Sequence, residues 1–206
     1  EKIDSSKAAV TFKMTVLKRI SRYMLCMVLA VIPAGMSVYA QLRVAVSITP
    51  QRYFVEKIGG DFVEVNVMVP PEADPHTYEP KPRQVVSLAE SRIYFAIGMP
   101  FEAVWLDRFS AVNPDMLIIQ TDEGIDKLPS HHEDEAKSAQ HYEEQRFDPH
   151  IWLSPRLVMK QAEHIVDALA KADPSHAGAY RKNYSHFMDE LTSLDREIQS
   201  FFKNTG

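Results

Sequence analysis

Val63-Glu64-Val65-Asn66-Val67-Met68-Val69 passes through Pro70 into Asp74-Pro75-His76-Thr77-Tyr78-Glu79-Pro80, joining an alternating valine run to a stiff histidine loop. A β-branched residue at every second position has the period of a strand. The loop after it is set by Pro75, since proline fixes its own φ and pushes the preceding residue toward an extended conformation. The same triplet returns at Asp148-Pro149-His150, followed by Ile151-Trp152. Each triplet presents a histidine in a set direction. A neutral imidazole is a good ligand for a borderline metal such as zinc, and a neighbouring carboxylate can hold its second nitrogen in the right tautomer. His76 and His150 are therefore the candidate metal ligands, with Asp74, Glu79 and Asp148 as carboxylates placed to orient them. Taken alone, each triplet also fits an ordinary solvated turn, because Asp before Pro is common turn chemistry. Where the two loops fall in the fold decides between these readings.

Upstream of the valine run, Leu42 to Ile48 reads as a strand and Pro50 to Ile58 as a helix closed by Gly59-Gly60. Downstream, Arg83 to Ser91 reads as a short helix and Ile93 to Ile97 as a third strand. Pro100 to Val112 is a helix with Trp105, Leu106 and Phe109 on its apolar side, and Met116 to Ile119 is a fourth strand. Strands alternating with helices at this spacing predict an α/β fold, a four-stranded, mostly parallel sheet with helices on both faces. The third and fourth strands are short continuous apolar runs, as expected of strands covered on both sides. His76 follows the second strand and His150 the fourth. Both loops then lie beyond carboxyl ends of strands, the edge where open α/β sheets bind ligands.

Between the fourth strand and the second triplet, residues 121–146 form a polar stretch without apolar period, holding His131, His132 and His141 among acidic residues. It fits a solvated, mobile acidic loop, and it equally fits an auxiliary metal-collecting loop built of imidazoles and carboxylates. Ser154-Pro155 starts a helix running to about Ala172, with Val158, Ala162, Ile165 and Leu169 on its apolar face and His164 directed to solvent. Asp173-Pro174 starts another by the same device. In it Tyr180, Tyr184, Phe187, Leu191, Leu194, Ile198 and Phe201 follow spacings of three and four without a break. This long spine helix, about 45 Å at 1.5 Å per residue, exceeds one small lobe. His176 and His186 flank its stripe and are read as solvated.

The 206 residues carry 23 Lys+Arg and 28 Asp+Glu, unevenly spread. Residues 14–40 hold Lys18, Arg19 and Arg22, then the apolar run Met24 to Ile32, then small and polar residues ending Val38-Tyr39-Ala40. That is the pattern of a secretory signal peptide cleaved before Gln41, with residues 1–13 preceding the true start. The alternative, a membrane anchor, is disfavoured because the run is short for a bilayer. Removing residues 1–40 takes away six basic and two acidic residues and leaves an acidic chain, a poor partner for nucleic acid. Cys26, the single cysteine, lies within the apolar run and not at a lipobox-like end of it. The mature chain then has no thiolate to offer a metal, and His and carboxylates are its strong ligands.

Val67-Met68-Val69-Pro70 leading to the first histidine loop, Tyr94-Phe95-Ala96-Ile97-Gly98-Met99-Pro100-Phe101-Glu102, and Asp148-Pro149-His150-Ile151-Trp152-Leu153 together resemble the zinc/manganese solute-binding proteins of bacterial ABC importers. The motifs are in order and correctly spaced over residues 41–206. The resemblance implies two α/β lobes joined by a rigid helix, with a metal held between the lobes and handed to a permease in the inner membrane. His76 and His150 match that family's first two ligands. On this reading residues 41–172 are the N-terminal lobe and residues 173–206 the connecting helix. No second lobe follows, so the remaining ligands would lie past Gly206. The resemblance further implies a periplasmic, monomeric protein carrying Zn2+, with Mn2+ as the alternative. The His-rich stretch resembles the loop of zinc-selective members, and imidazole-rich sites suit zinc better.

Two other classes are weighed against it. A metallohydrolase would use the same histidines with an open position for water, but no His-Glu-x-x-His helix, no Gly-x-Ser-x-Gly elbow and no evident general base accompany them. An enzyme is therefore not expected. An adhesin-like interaction protein with a vestigial site would use the open stripe of the spine, where Tyr184, Leu191 and Ile198 would lack part of their packing.

Overall fold

A computed structural model of the chain describes residues 40–74, 78–129 and 147–205. In chain order the elements are β1 (Leu42–Ile48), α1 (Thr49–Gly59), β2 (Val63–Val69), α2 (Pro82–Leu88), β3 (Ile93–Ala96), α3 (Pro100–Val112), β4 (Leu117–Gln120), α4 (Pro155–Ala172) and α5 (Ala177–Thr205), with single 3-10 turns at Gly60–Phe62 and Ile151–Leu153. The strands form one sheet in the order β2-β1-β3-β4, and every neighbouring pair is parallel. Leu42 pairs with Val63 and Ile48 with Val69, so β1 and β2 are in step along their whole length.

Alternation of side chains across the pleat sorts the core into two layers. Val44, Val46, Ile93 and Phe95 point to the face covered by α1, α4 and α5, where they cluster with Val55, Ile58, Val158, Ile165, Leu169 and Phe187. Ala45, Tyr94 and Ala96 point to the other face, against Leu88 of α2 and Phe101 and Phe109 of α3. Each large apolar side chain fully removed from water contributes about 1.5–3 kcal/mol. Trp152 is half-buried and packs against both layers.

The fourth strand differs from expectation. It is the edge of the sheet, and Leu117 is 39% exposed, whereas β3 is buried throughout. Ile118 and Ile119 pack against the two opposite layers but are only half-buried, because an edge strand meets solvent along its unpaired margin.

The helix ends are set by local chemistry. Gln51 accepts from the Ser47 and Ile48 amides at 3.0 and 3.3 Å and donates to the Phe95 carbonyl at 3.0 Å, fastening the start of α1 to the end of β3. Gly60 closes α1 with φ of 56°, a left-handed turn that glycine makes without penalty. The Asn113 amide donates to the carbonyls of Leu88 (2.9 Å) and Ser91 (2.8 Å), fixing the end of α2.

Asp173-Pro174 does not open the last helix. α5 begins at Ala177, and Asp173 still belongs to the end of α4, its amide donating to the Leu169 carbonyl at 2.9 Å, while its carboxylate is held by side chains further on. It accepts from Ser175, from the His176 ring at 2.6 Å and from the Tyr180 hydroxyl at 2.7 Å. His176 is accordingly not solvated; its ring stacks on Phe62 with centroids 4.1 Å apart. His164 is also held, with Nε2 3.1 Å from the Glu123 carbonyl oxygen, while His186 is exposed as read. Along α5, Tyr180, Phe187 and Leu191 are buried, and Leu194 and Ile198 are 45% and 37% exposed. Of the three residues expected to lack part of their packing, Leu191 is buried and Tyr184 is half-buried against the core, while Ile198 is exposed. Among the described residues no helix is long and apolar enough to cross a membrane.

Candidate metal centre

Parallel pairing puts the loops after all four strands at one edge. The chain runs from β1 outward to β2, then crosses back to β3 on the other side of β1. The switch point therefore lies between the carboxyl ends of β1 and β3, where open sheets form their ligand crevice.

The second Asp-Pro-His triplet comes to this edge. Ile151 is buried in the layer that contains Ile48, Val69 and Ile97, the residues at or just past the ends of β1, β2 and β3, and this anchors the 3-10 turn that follows His150. The Asp148 carboxylate accepts from the His150 backbone amide at 2.9 Å and lies 2.6 Å from its ring Nδ1. Hydrogen bonds from the His150 backbone and ring hold Asp148 below the usual carboxylate range. Asp148 is therefore an ionised acceptor at neutral pH, and Nδ1 carries the proton. Nε2 is the ring nitrogen that this pairing leaves available to a ligand, and no hydrogen bond among the described residues engages it. The ring is half exposed and leans on Trp152 with centroids 4.9 Å apart.

The first triplet is only partly visible. His76 lies outside the described residues, as do His131, His132 and His141 of the polar stretch. On either side of His76 the chain is fastened: Ala73 donates to the Pro70 carbonyl at 3.0 Å, and the Tyr78 hydroxyl donates to Gln84 at 2.6 Å, whose own amide donates to the Met68 carbonyl at 2.7 Å. Asp74 and Glu79 are exposed. The polar stretch is closed at its base by an antiparallel bridge between Pro129 and Phe147 and by the Asp148 amide donating to the Leu128 carbonyl at 2.7 Å. Among the described residues no three His, Cys, Asp or Glu side chains gather into a group able to hold a metal ion.

The switch point itself holds a cluster that sequence reasoning did not find. Glu102 of α3 is buried. It accepts from the amides of Ile97 (2.9 Å), Gly98 (2.7 Å) and Met99 (3.2 Å) and from the Ser47 hydroxyl, which in turn pairs with Tyr94 at 2.7 Å. Burial pushes Glu102 up to about 7 although these donors oppose the shift. Burial and the neighbouring Glu102 also raise the Tyr94 phenol well above its usual range. The signal available in advance was Glu102 three residues after Met99, the spacing of a reciprocal helix cap.

Comparison with known proteins agrees with this architecture. The sequence profile of a family described as "Zinc-uptake complex component A periplasmic" matches residues 44–206. Crystal structures of ZnuA, one of them a deletion mutant with zinc bound, superpose with a TM-score of 0.68 at 43% identity. They cover 77% of this chain and 57–58% of theirs. A Chlamydia muridarum protein whose name describes metal binding is 34% identical over 172 residues, covering 84% of this chain and 58% of the relative. The manganese-binding lipoprotein MntA of Halalkalibacterium halodurans is 29% identical over 157 residues, covering 76% of this chain and 48% of its own length. The chain thus spans about half to three-fifths of the length of the curated relatives it matches.

Proposed function

The chain belongs to the family of periplasmic zinc-uptake complex component A proteins, and from that premise we propose that it binds a divalent transition metal outside the cytoplasm for delivery to the permease of an ABC importer. Members of this family are substrate-binding proteins, and for this chain too the role is binding without catalysis. The observation that carries the reading is the Asp148–His150 pair, which engages Nδ1 and leaves Nε2 available to a metal at the carboxyl edge of a parallel sheet. A carboxylate behind an imidazole is the usual support of a metal-binding histidine.

His76 is the second ligand in this reading, with Asp74 and Glu79 near it, and zinc is favoured over manganese because imidazole suits it better. Relatives named for zinc and for manganese both occur, so the preference rests on ligand chemistry. Residues 14–40 serve as the export signal, residues 41–172 as the metal-binding lobe with His131, His132 and His141 as an auxiliary loop, and residues 173–206 as the connecting helix of a protein that acts as a monomer. Titration of zinc against a competing chelator tests the assignment. His76→Ala and His150→Ala should each weaken binding by about tenfold or more, given that even supporting residues cost that much. Stoichiometric binding of undiminished affinity in the double variant would contradict it.

An interaction role keeps one observation in its favour, the exposed Leu194 and Ile198 on α5. Gel filtration distinguishes the two: a clean monomer at high concentration counts against association through that stripe.

A further inference from the structure

We propose that Lys127 is a positioning residue for His150, acting through the loop between β4 and the second Asp-Pro-His triplet. Its ammonium lies 2.5 Å from the Asp122 carboxylate and donates to the carbonyls of Ile97 at 3.2 Å and Gly98 at 3.5 Å. The next residue, Leu128, receives the Asp148 amide at 2.7 Å, and Asp148 in turn orients the His150 ring. One short loop therefore ties the β3–α3 turn to the backbone that carries the ligand. The turn is itself fixed from the other side, since Glu102 accepts from the Ile97 and Gly98 amides. Hydrogen bonds from the buried switch point reach the Lys127 side chain, and the peptide link from Lys127 to Leu128 carries the path on to Asp148.

Two features make Lys127 the governing member of this path. The Lys127 and Asp122 side chains are only 14% and 18% exposed, so removing one partner strands a shielded charge, which is far more disruptive than losing a surface pair. The approach is also built into the backbone: Gly98 has φ of 76°, and a Cβ there would stand 2.1 Å from the Lys127 Nζ and 2.3 Å from the Asp122 carboxylate. The turn is shaped to admit this ammonium. The isolated Pro129–Phe147 bridge joins the two ends of the loop to each other, whereas the Lys127 contacts join it to the β3–α3 turn.

The inference rests on the function proposed above only for its metal arm, and the test separates the two. In the metal-free protein, nitrogen-15 NMR reads the Asp148 amide and the His150 ring nitrogens, and chelator competition reads zinc affinity. Lys127→Met should move both sets of resonances and weaken zinc binding by about tenfold, the low end of losses for outer-shell partners. Gly98→Ala, which forces the same joint apart, should move the same resonances. Asp173→Asn, at the joint between α4 and α5, is the control for general destabilisation and should leave them in place. Coincident Asp148 and His150 resonances in the parent and Lys127→Met proteins would overturn the proposal, and so would moved resonances with unchanged zinc affinity. Failure of the parent to bind zinc through His150 would instead sink the functional reading, and the resonances would still decide the positioning role.

Discussion

His150 takes its orientation from a carboxylate two residues earlier, and the separation of roles follows from proline. Pro149 holds the turn in which Asp148 can accept from both the backbone and the ring of His150, so the ring has one direction before any ion arrives. Asp148→Asn should weaken zinc binding by about 10- to 100-fold while leaving the thermal midpoint nearly unchanged, because Asp148 and His150 are both about half exposed. Affinity equal to the parent would show that the pair is only a turn. This part of the site was legible in the sequence, since proline and its neighbours act locally. Glu102 was not legible in the same way: its partner Ser47 lies 55 residues away and meets it only because β1 and β3 are neighbours. Its folded-state value of about 7 lies above the ordinary 4.5, so the folded protein holds more protons than the unfolded chain between those values. Stability should therefore fall as pH rises from 4.5 to 7, and Glu102→Gln should flatten that slope in chemical denaturation. An unchanged slope would mean the carboxyl stays ionised by its four donors.

At the scale of elements, the joint between α4 and α5 carries a second, opposite pH dependence. Burial pushes Asp173 up, but hydrogen bonds from Ser175, His176 and Tyr180 outweigh it and hold the group at about 2. Its contribution is present above the ordinary value of 3.8 and lost as pH falls through that value toward 2. Asp173→Ala should cost about 1–3 kcal/mol by leaving the buried Tyr180 hydroxyl unpaired, measured by urea denaturation at neutral pH, and the variant should lose the acid-side slope. A cost under half a kcal/mol, by the usual range of surface substitutions of about ±0.5, would place the joint's stability elsewhere. Asp173-Pro174 has the form of Ser154-Pro155 and so reads as a helix start; the difference is that Asp173 still closes α4, its amide donating to the Leu169 carbonyl at 2.9 Å. The edge position of β4 was hidden for another reason. An apolar tetrapeptide has the same pattern at the centre and the margin of a sheet, and only the order of crossovers tells them apart. Phe187, buried against Tyr53 and Phe54 at centroid separations of 6.0 Å, fastens α5 to α1, and Phe187→Ala should cost about 3–5 kcal/mol. A much smaller loss would mean the long helix is only loosely held to the sheet.

For the molecule as a whole, the parallel sheet, both helical layers and the long last helix followed from alternating strand and helix periods, because those patterns register burial directly. The meeting of loops at the carboxyl edge followed in turn from parallel pairing. What periodicity could not convey is the polar bracing beneath that edge, from Glu102 through the β3–α3 turn and Lys127 to Asp148, since its contacts are made by polar side chains and turn backbone and not by an apolar repeat. That braced edge supports one imidazole nitrogen, the His150 Nε2, as the metal ligand proposed above. Nitrogen-15 NMR of the His150 ring before and after addition of one equivalent of zinc tests this most directly. A protonated Nδ1 throughout and a large displacement of the Nε2 resonance on zinc addition are expected; zinc bound at one equivalent with the His150 Nε2 resonance unmoved would contradict the proposed ligand role.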